Sequence, residues 1–252
     1  SCLVGSEMCI RDRDCTMGPH PADPYSLPTP AKPYLECIDE LPERLKIAFS
    51  PDLGYAVVQK EVMACVEKAV KAFEGMGHQV ELWPGTLPDT GEFWGDIVAI
   101  DIYAQLNGVL EKERDQIGRT LVSVLENTRK MTVEQLTVIQ QRRAELNAGL
   151  ETLFDEFDLL ITPTMPTEAF AAKGPPPSEI DGTPIPLLGA VAFTYPFNFS
   201  GHPAASVPAG LTPNRLPAGL QIIAPRHQDS LVLQAAYAYE KAMPWDNQWP
   251  SL

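Results

Sequence analysis

Basic side chains are scarce in this sequence of 252 residues. Lysine and arginine together number 19 against 33 aspartates and glutamates, which gives a formal net charge of −14 at pH 7. Nucleic-acid binding depends on cationic side chains that neutralise phosphates, and an anionic membrane surface repels an acidic protein. We therefore expect neither a nucleic acid nor a membrane as a partner. The composition is typical of an acidic globular protein.

The patterns that mark metal, nucleotide and membrane-spanning sites are also missing. The five cysteines form no CxxC pair and no Cys/His set with ligand spacing, so we expect no metal ion. No GxxxxGKS/T or GxGxxG stretch occurs, and we predict no cofactor. No run of 18 apolar residues occurs. An odd number of cysteines without a disulfide framework fits a reducing compartment, and we predict a cytoplasmic location.

Periodic apolar patterns are present, and they indicate strands that alternate with helices. "RLKIAFS" (44–50) and "QVELW" (79–83) predict two short strands. Between them, apolar residues at three- and four-residue spacing predict a helix that ends at Gly75 and Gly77. A strand–helix–strand unit of this length makes the two strands parallel. "DLLITPT" (158–164) predicts a further buried strand.

The rest of the chain adds helices and an antiparallel pair. Residues 92–149 are predicted to be mostly helical, with a capping box formed by Thr132 and Gln135. "PAASVPAG" (203–210) and "AGLQIIA" (218–224) predict two strands joined by a short loop. Asp229 is expected to cap a last helix. The predicted fold class is α/β, a mixed β-sheet covered by helices.

Composition divides the chain into three regions. Residues 1–13 show no periodicity and resemble an artefactual, adapter-derived leader, so we place them outside the fold. Residues 14–43 are rich in proline and are expected to be a connecting segment that crosses the surface. Residues 44–252 should form one α/β unit. Within it, the proline-rich stretch 163–186 follows a buried strand, where open α/β sheets usually bind ligands.

The stretch "FTYPFNFSGHPAASVPAG" (193–210) contains two serines and a histidine, which are the residues of a nucleophile and its base. Such a pair needs a third group that orients the base, and neither Ser200 nor Ser206 lies in a GxSxG elbow. Small residues dominate the stretch, and Pro203 and Pro208 make it rigid. We interpret it as a wall that supports a site formed elsewhere. An autonomous hydrolase that uses His202 as base is the alternative.

Four segments, in order, resemble the carboxyl-terminal half of the amidase signature family. They are "GPHPADPYSLP", "DLLITPTMPTEAF", "FTYPFNFSGHPAASVPAGL" and "LPAGLQIIAPRHQDSLVLQAAYAYE", and the resemblance covers roughly residues 17–240. It implies that residues 44–252 are part of an incomplete amidase-signature fold. It also implies hydrolysis of the carbon–nitrogen bond of a small-molecule amide by a lysine, a cis-serine and a nucleophilic serine.

The glycine- and serine-rich segment that carries the two serines in this family is absent from the sequence, as is the family's lysine context. We therefore assign no catalytic residue and expect the chain to be an inactive carboxyl-terminal fragment. Two other functions stay open. One is a non-catalytic α/β binding or regulatory subunit that retains the scaffold. The other is an amidotransferase subunit that acts on misacylated tRNA.

The resemblance also implies a set of substrate-binding residues. They are an aromatic pair at the start of a helix, three residues around the end of the buried strand, and three residues of the serine–histidine stretch: Phe93, Trp94, Thr162, Thr164, Met165, Asn198, Gly201 and His202. For the aromatic pair, a role as core anchors explains the pattern equally well. The two threonines are explained equally well as partners of backbone groups at the strand end.

Overall fold

A mixed five-stranded sheet is the centre of the computed structural model, which describes residues 6–23 and 26–245. The described residues contain seven strands in all, five in this sheet and two in a small hairpin. They are β1 (Lys46–Phe49), β2 (Gln79–Leu82), β3 (Leu159–Pro163), β4 (Glu179–Ile180), β5 (Thr183–Pro184), β6 (Ala204–Leu211) and β7 (Pro217–Ile223). The order in the sheet is β2-β1-β3-β7-β6, while β4 and β5 form a separate small hairpin. β1 is parallel to β2 and β3, and β7 is antiparallel to β3 and β6. The predicted α/β class with a mixed sheet is confirmed.

Seven helices surround the sheet in the described part of the chain. They are α1 (Ser6–Thr16), α2 (Lys60–Gly75), α3 (Gly91–Glu113), α4 (Arg119–Thr128), α5 (Val133–Phe154), α6 (Tyr195–Ser200) and α7 (Asp229–Ala242). The predicted capping box is present at the start of α5. Thr132 Oγ1 accepts a hydrogen bond from the Gln135 backbone N–H at 3.3 Å, and Gln135 Oε1 accepts one from the Thr132 N–H at 2.9 Å.

Each face of the sheet has its own apolar core, because successive side chains of a strand point to opposite faces. Ile47 packs with Val66 and Phe73 of α2 on one face, where α7 also contributes. The next residue, Ala48, belongs to the core of the other face, which Leu146 and further residues of α5 and α6 complete. The sheet is therefore covered by helices on both sides.

The amino-terminal region departs from the sequence-based expectation. Residues 6–13 were placed outside the fold, yet they belong to α1, in which Ile10 is only 2% exposed. Arg13 forms an ion pair with Asp229 at 2.9 Å, and Asp14 accepts a hydrogen bond from the Tyr34 backbone N–H at 2.6 Å. Among the described side chains of α1, Ile10 and these polar contacts hold the helix, and its sequence shows no apolar stripe. Residues 1–5, 24–25 and 246–252 of the three predicted regions lie outside the described residues.

Two further local predictions need correction. Gln228, not Asp229, occupies the N-cap position of α7, and Asp229 is the first residue of the helix. The carboxylate of Asp229 bonds to Arg13 and makes no side-chain cap. Residues 195–200 of the serine–histidine stretch form helix α6, which the sequence analysis does not predict. With six residues α6 is too short to show a helical period in the sequence.

Candidate functional site

Two hydroxyl groups meet across β7 near the end of β3, one from Thr164 and the other from Ser206 of β6. Thr164 Oγ1 is 2.7 Å from Ser206 Oγ, and the Thr164 backbone N–H donates to the Gly219 carbonyl at 2.8 Å. A Cβ at Gly219 would lie 2.8 Å from Thr164 Oγ1 and 3.0 Å from Ser206 Oγ, so only glycine allows this close approach. Ser206 is exposed, while Thr164 and the following Met165 are half-buried. The pair offers hydroxyl groups to a ligand at this end of the sheet.

Thr162 has a different environment from Thr164, although both were predicted to bind substrate. Its side chain is fully buried. Its Oγ1 donates to the Pro163 carbonyl at 2.8 Å and accepts from Gln221 Nε2 at 3.2 Å. The same Gln221 nitrogen donates to the Phe193 carbonyl at 2.8 Å. Thr162 therefore bonds the backbone at the strand end, and Gln221 joins this strand end to the segment that leads into α6.

Sequence reasoning overlooked Gln221, which is 5% exposed within β7. The signal was a single amide side chain among apolar neighbours in "AGLQIIA". A buried amide almost always has hydrogen-bond partners, so this residue could have been predicted to join two segments. Which segments it joins depends on the pairing of β7 with β3.

Helix α6 carries Asn198 and ends at Gly201. Asn198 is exposed, while its neighbours Phe197 and Phe199 are buried. Gly201 has a φ of +77°, and its N–H donates to the Phe197 carbonyl at 2.9 Å, which closes the helix. A left-handed residue after a short helix turns the chain sharply. The turn directs the chain into β6, which begins at Ala204.

Ser200 and His202 meet, as a nucleophile and its base would. Ser200 Oγ is 2.9 Å from His202 Nδ1, but the serine is fully buried and the histidine is 5% exposed. His202 Nε2 has no hydrogen-bond partner among the described residues, so no third group orients the ring. The Phe154 ring stacks on the imidazole with 5.5 Å between the centroids.

The electrostatic environment also disfavours a catalytic role for His202. Burial lowers the pKa of His202 to about 4, and the positive charges of Arg226 and His227 act in the same direction. An imidazole with this pKa is neutral at physiological pH and is a weak base. A buried hydroxyl next to a weak base, with no orienting group, matches a supporting wall better than a nucleophile.

The predicted aromatic pair lies at the start of α3. Phe93 and Trp94 are half-buried and pack against the core that contains Phe197 and Phe199. The Trp94 ring stacks on Tyr195 with 6.3 Å between the centroids. Phe93 and Trp94 therefore make the contacts expected of core residues, and these contacts hold the start of α3 against α6. The Thr164–Ser206 pair is a separate group at the end of β3.

A hydrogen-bonded carboxylate joins α3 to α6. Tyr195 donates its hydroxyl to Asp89 Oδ1 at 2.6 Å, and the same oxygen accepts from the Gly91 N–H at 3.0 Å. Tyr55 donates to the Ala192 carbonyl at 2.7 Å beside them. Burial raises the pKa of the Tyr195 phenol above its ordinary value. The phenol is therefore a stable donor, and it fixes the start of α3 relative to α6.

Across residues 6–23 and 26–245, no group of three or more His, Cys, Asp or Glu side chains could hold a metal ion. In the same residues, no helix combines the length and the apolar character needed to cross a membrane.

Comparison with known proteins identifies the family. The model of the Amidase family matches residues 11–233. The chain belongs to the amidase signature family. Its similarity to other members extends over nearly the whole chain: it is 30% identical over 242 residues to an acylamidase of Rhodococcus erythropolis, which covers 94% of this chain and 50% of that protein. The family predicted from the four segments is confirmed.

Two further members of the amidase signature family are also matched by this chain over about half of their length. A 6-aminohexanoate-cyclic-dimer hydrolase of Pseudomonas sp. (strain NK87) is 28% identical over 262 residues, with 95% of this chain and 52% of that enzyme covered. The crystal structure of a bacterial aryl acylamidase of the family superposes with a TM-score of 0.80 at 32% identity, covering 92% of this chain and 50% of the other. The chain thus spans about half the length of these relatives.

Proposed function

We propose that the Thr164–Ser206 end of the sheet is the substrate-side wall of an amidase that hydrolyses small-molecule amides. The serine–cis-serine–lysine triad of that enzyme would be contributed by polypeptide outside this chain. Membership of the amidase signature family supports amide hydrolysis in general. The names of two relatives, an acylamidase and a cyclic-dimer hydrolase, support a small-molecule amide as the substrate.

The proposed reaction assigns separate tasks to the triad and to the wall. A neutral lysine accepts a proton, through the cis-serine, from the nucleophilic serine, whose oxygen attacks the amide carbon. The carbon–nitrogen bond then breaks, the amine leaves with the proton, and water releases the acyl group. The hydroxyls of Thr164 and Ser206 would bind and orient the substrate, because each can donate or accept a hydrogen bond.

The proposal depends on the difference in solvent exposure between Ser206 and Ser200. Ser206 is exposed beside Thr164, so a ligand can reach it. Ser200, which has the histidine neighbour, is fully buried, so a substrate cannot reach its oxygen without unfolding of α6. Among the described residues, therefore, no base bonds the exposed Ser206 hydroxyl, and the serine that contacts a histidine is closed to a ligand.

The test compares this chain alone with a fusion that joins it to the half of the Rhodococcus erythropolis acylamidase outside the match. The probe is 4-nitroacetanilide, and release of 4-nitroaniline is measured. We expect turnover by the fusion and none by the chain alone. Ser206→Ala in the fusion should raise KM more than it lowers kcat, because it removes a substrate contact and leaves the triad intact.

Two results would contradict the proposal. Turnover by the chain alone that Ser200→Ala abolishes, together with labelling of Ser200 by a fluorophosphonate, would establish the autonomous serine–histidine hydrolase. A folded fusion that binds the anilide without hydrolysing it would establish the non-catalytic binding subunit. Circular dichroism and thermal unfolding of the fusion separate the second result from a failure to fold.

A further inference from the structure

A cavity of about 590 Å³ lies between the proline-rich segment 27–32 and the start of α7. Its volume is in the range of pockets that hold small organic molecules. Among the described residues that line it, none belongs to the Thr164–Ser206 pair or to the serine–histidine stretch. The proposed function therefore does not account for this cavity.

Side-chain contacts hold the two sides of the cavity together. Gln234 of α7 donates its amide to the Cys37 carbonyl at 2.7 Å, and both residues are buried. Cys37 is the last residue of the one-turn helix Tyr34–Cys37, which follows the proline-rich segment. Near the end of α7, Lys241 bonds Asp39 at 2.6 Å. The cavity is therefore formed by the folded chain itself, without a ligand.

Apolar and aromatic residues form much of the cavity wall. Leu27, Pro28 and Pro30 line one side, and Tyr34 contributes an aromatic ring. Leu27 is 38% exposed, which leaves part of its side chain uncovered. A tyrosine ring stacks favourably with another aromatic ring, and proline rings offer apolar surface that a flat molecule can cover. These walls favour an aromatic ligand.

The charged groups of the cavity already have partners of opposite sign. Lys32 and Glu40 form an ion pair at 2.9 Å, and each side chain is more than half exposed. Asp229 is paired with Arg13 at 2.9 Å. A charged ligand would lose its water and find no unpaired charge here, which is unfavourable. The cavity therefore favours an uncharged ligand.

Two hydroxyl groups of the lining are available for a hydrogen bond to a ligand. The hydroxyls of Tyr34 and Ser230 have no hydrogen-bond partner among the described residues. Burial raises the pKa of the Tyr34 phenol, and the negative charge of Asp229 acts in the same direction. The phenol therefore keeps its proton. Each hydroxyl can donate or accept a hydrogen bond.

We infer that this cavity binds a small uncharged aromatic molecule that carries one hydroxyl or amino group. Its ring would lie against the proline rings and Tyr34, and its polar group would bond the hydroxyl of Tyr34 or Ser230. The inference is independent of the proposed function, because the cavity and the Thr164–Ser206 pair share no described residue.

Titration of the chain with phenol, followed by NMR at pH 7.5, tests the inference. We expect saturable shifts of the Tyr34 and Ser230 backbone amides, with a Kd of about 1 mM or below. Benzoate and benzylammonium have similar size and carry a negative and a positive charge. They should bind at least about tenfold more weakly, because neither meets an unpaired opposite charge.

Variants of the lining locate the binding. Ala31→Phe adds a ring at an exposed position of the wall and should weaken phenol binding by about tenfold or more. Ala171→Phe, at an exposed alanine of the stretch 163–186, is the matched control and should leave the Kd within about twofold. The double variant Tyr34→Phe/Ser230→Ala removes both hydroxyls and should weaken binding by about threefold or more. Thermal unfolding shows which variants are folded.

The inference would be overturned by phenol binding to folded Ala31→Phe as tightly as to the wild type, or by equal weakening in Ala171→Phe. Unchanged binding by the double hydroxyl variant would also overturn it, and this variant adds no bulk to the wall. Benzoate or benzylammonium binding as tightly as phenol would show that charge does not select the ligand. Absence of saturable shifts at Tyr34 and Ser230 would show that the cavity is not a binding site for this class of molecule.

Discussion

His202 should make the stability of the chain depend on pH between about 4 and 6.5. Above pH 6.5 the imidazole is neutral in both the folded and the unfolded chain, and its contribution to stability is fully present. As the pH falls below 6.5, the unfolded chain binds a proton that the buried ring cannot accept until about pH 4. The free energy of unfolding therefore decreases as the pH falls from 6.5 to about 4. Below pH 4, His202 causes no further decrease.

The magnitude follows from the difference between the two pKa values. A pKa of about 4 in place of the ordinary 6.5 corresponds to about 3 kcal/mol of stability lost on acidification. Burial is the principal cause, and the ring is 5% exposed, so screening by solvent reduces the effect little. Burial also lowers the pKa of His78, which adds a loss of the same sign in the wild-type chain.

The assay is urea unfolding, followed by circular dichroism, at several pH values from 7.5 to 4. In His202→Asn the loss of stability across this range should be smaller than in the wild type by about 3 kcal/mol. The amide can still bond Ser200, although the stacking on Phe154 is lost at every pH. Comparing the two proteins cancels the contributions of His78 and of the carboxylates, which are present in both.

Two further measurements test whether His202 has the lowered pKa. Arg226→Gln should raise the pKa of His202 and reduce the pH dependence, since the arginine charge is the second cause of the shift. A His202 NMR resonance that titrates near the ordinary pKa of histidine would contradict the lowered pKa, as would parallel pH profiles for the wild type and His202→Asn.

Two other changes test how local structure supports the wall. Thr132→Ala should destabilise the chain by about 1 kcal/mol in thermal or urea unfolding, because it removes the capping hydroxyl of α5. Thr137→Ala, one turn into the same helix, is the control and should lower the free energy of unfolding clearly less. Equal losses in the two variants would show that the cap is not the cause. Gly219→Ala should lower the free energy of unfolding by about 1–3 kcal/mol, because the added Cβ meets Thr164 Oγ1 and Ser206 Oγ. The double variant Gly219→Ala/Ser206→Gly should recover part of this loss. No recovery would mean that the serine does not cause the clash.

The sheet could be predicted from the sequence because its strands depend on local patterns. Short apolar runs at 44–50 and 158–164, with a helical stripe between 57 and 78, were sufficient for β1, β3 and α2. Parallel and antiparallel pairing then followed from the lengths of the connections. α1 and α6 escaped prediction because α1 is held by tertiary contacts such as Asp14 with Tyr34, and α6 is a six-residue helix closed by Gly201.

The sequence selected two segments that the structure joins, but it did not show how they are joined. The end of β3 and the serine–histidine stretch were both selected, and the structure joins them through Gln221, which bonds Thr162 and the Phe193 carbonyl. That bridge depends on the register between β3 and β7, which no local pattern shows. Thr162 and Thr164, two residues apart in a strand-end segment, looked equivalent in sequence, yet one side chain is fully buried and the other bonds an exposed serine.

Ser200 and Ser206 show how secondary structure decides the role of a residue type. Ser200 is the last residue of α6, so its side chain lies inside, beside His202 and the aromatic core. Gly201 turns the chain, and Ser206 then lies on β6, the edge strand of the described sheet, with its hydroxyl exposed. Among the described residues, the neighbours of its hydroxyl are Thr164 and Gly219, and neither side chain is a base. Ser206 can therefore bond a ligand, whereas activation of a nucleophile needs a base within hydrogen-bond reach.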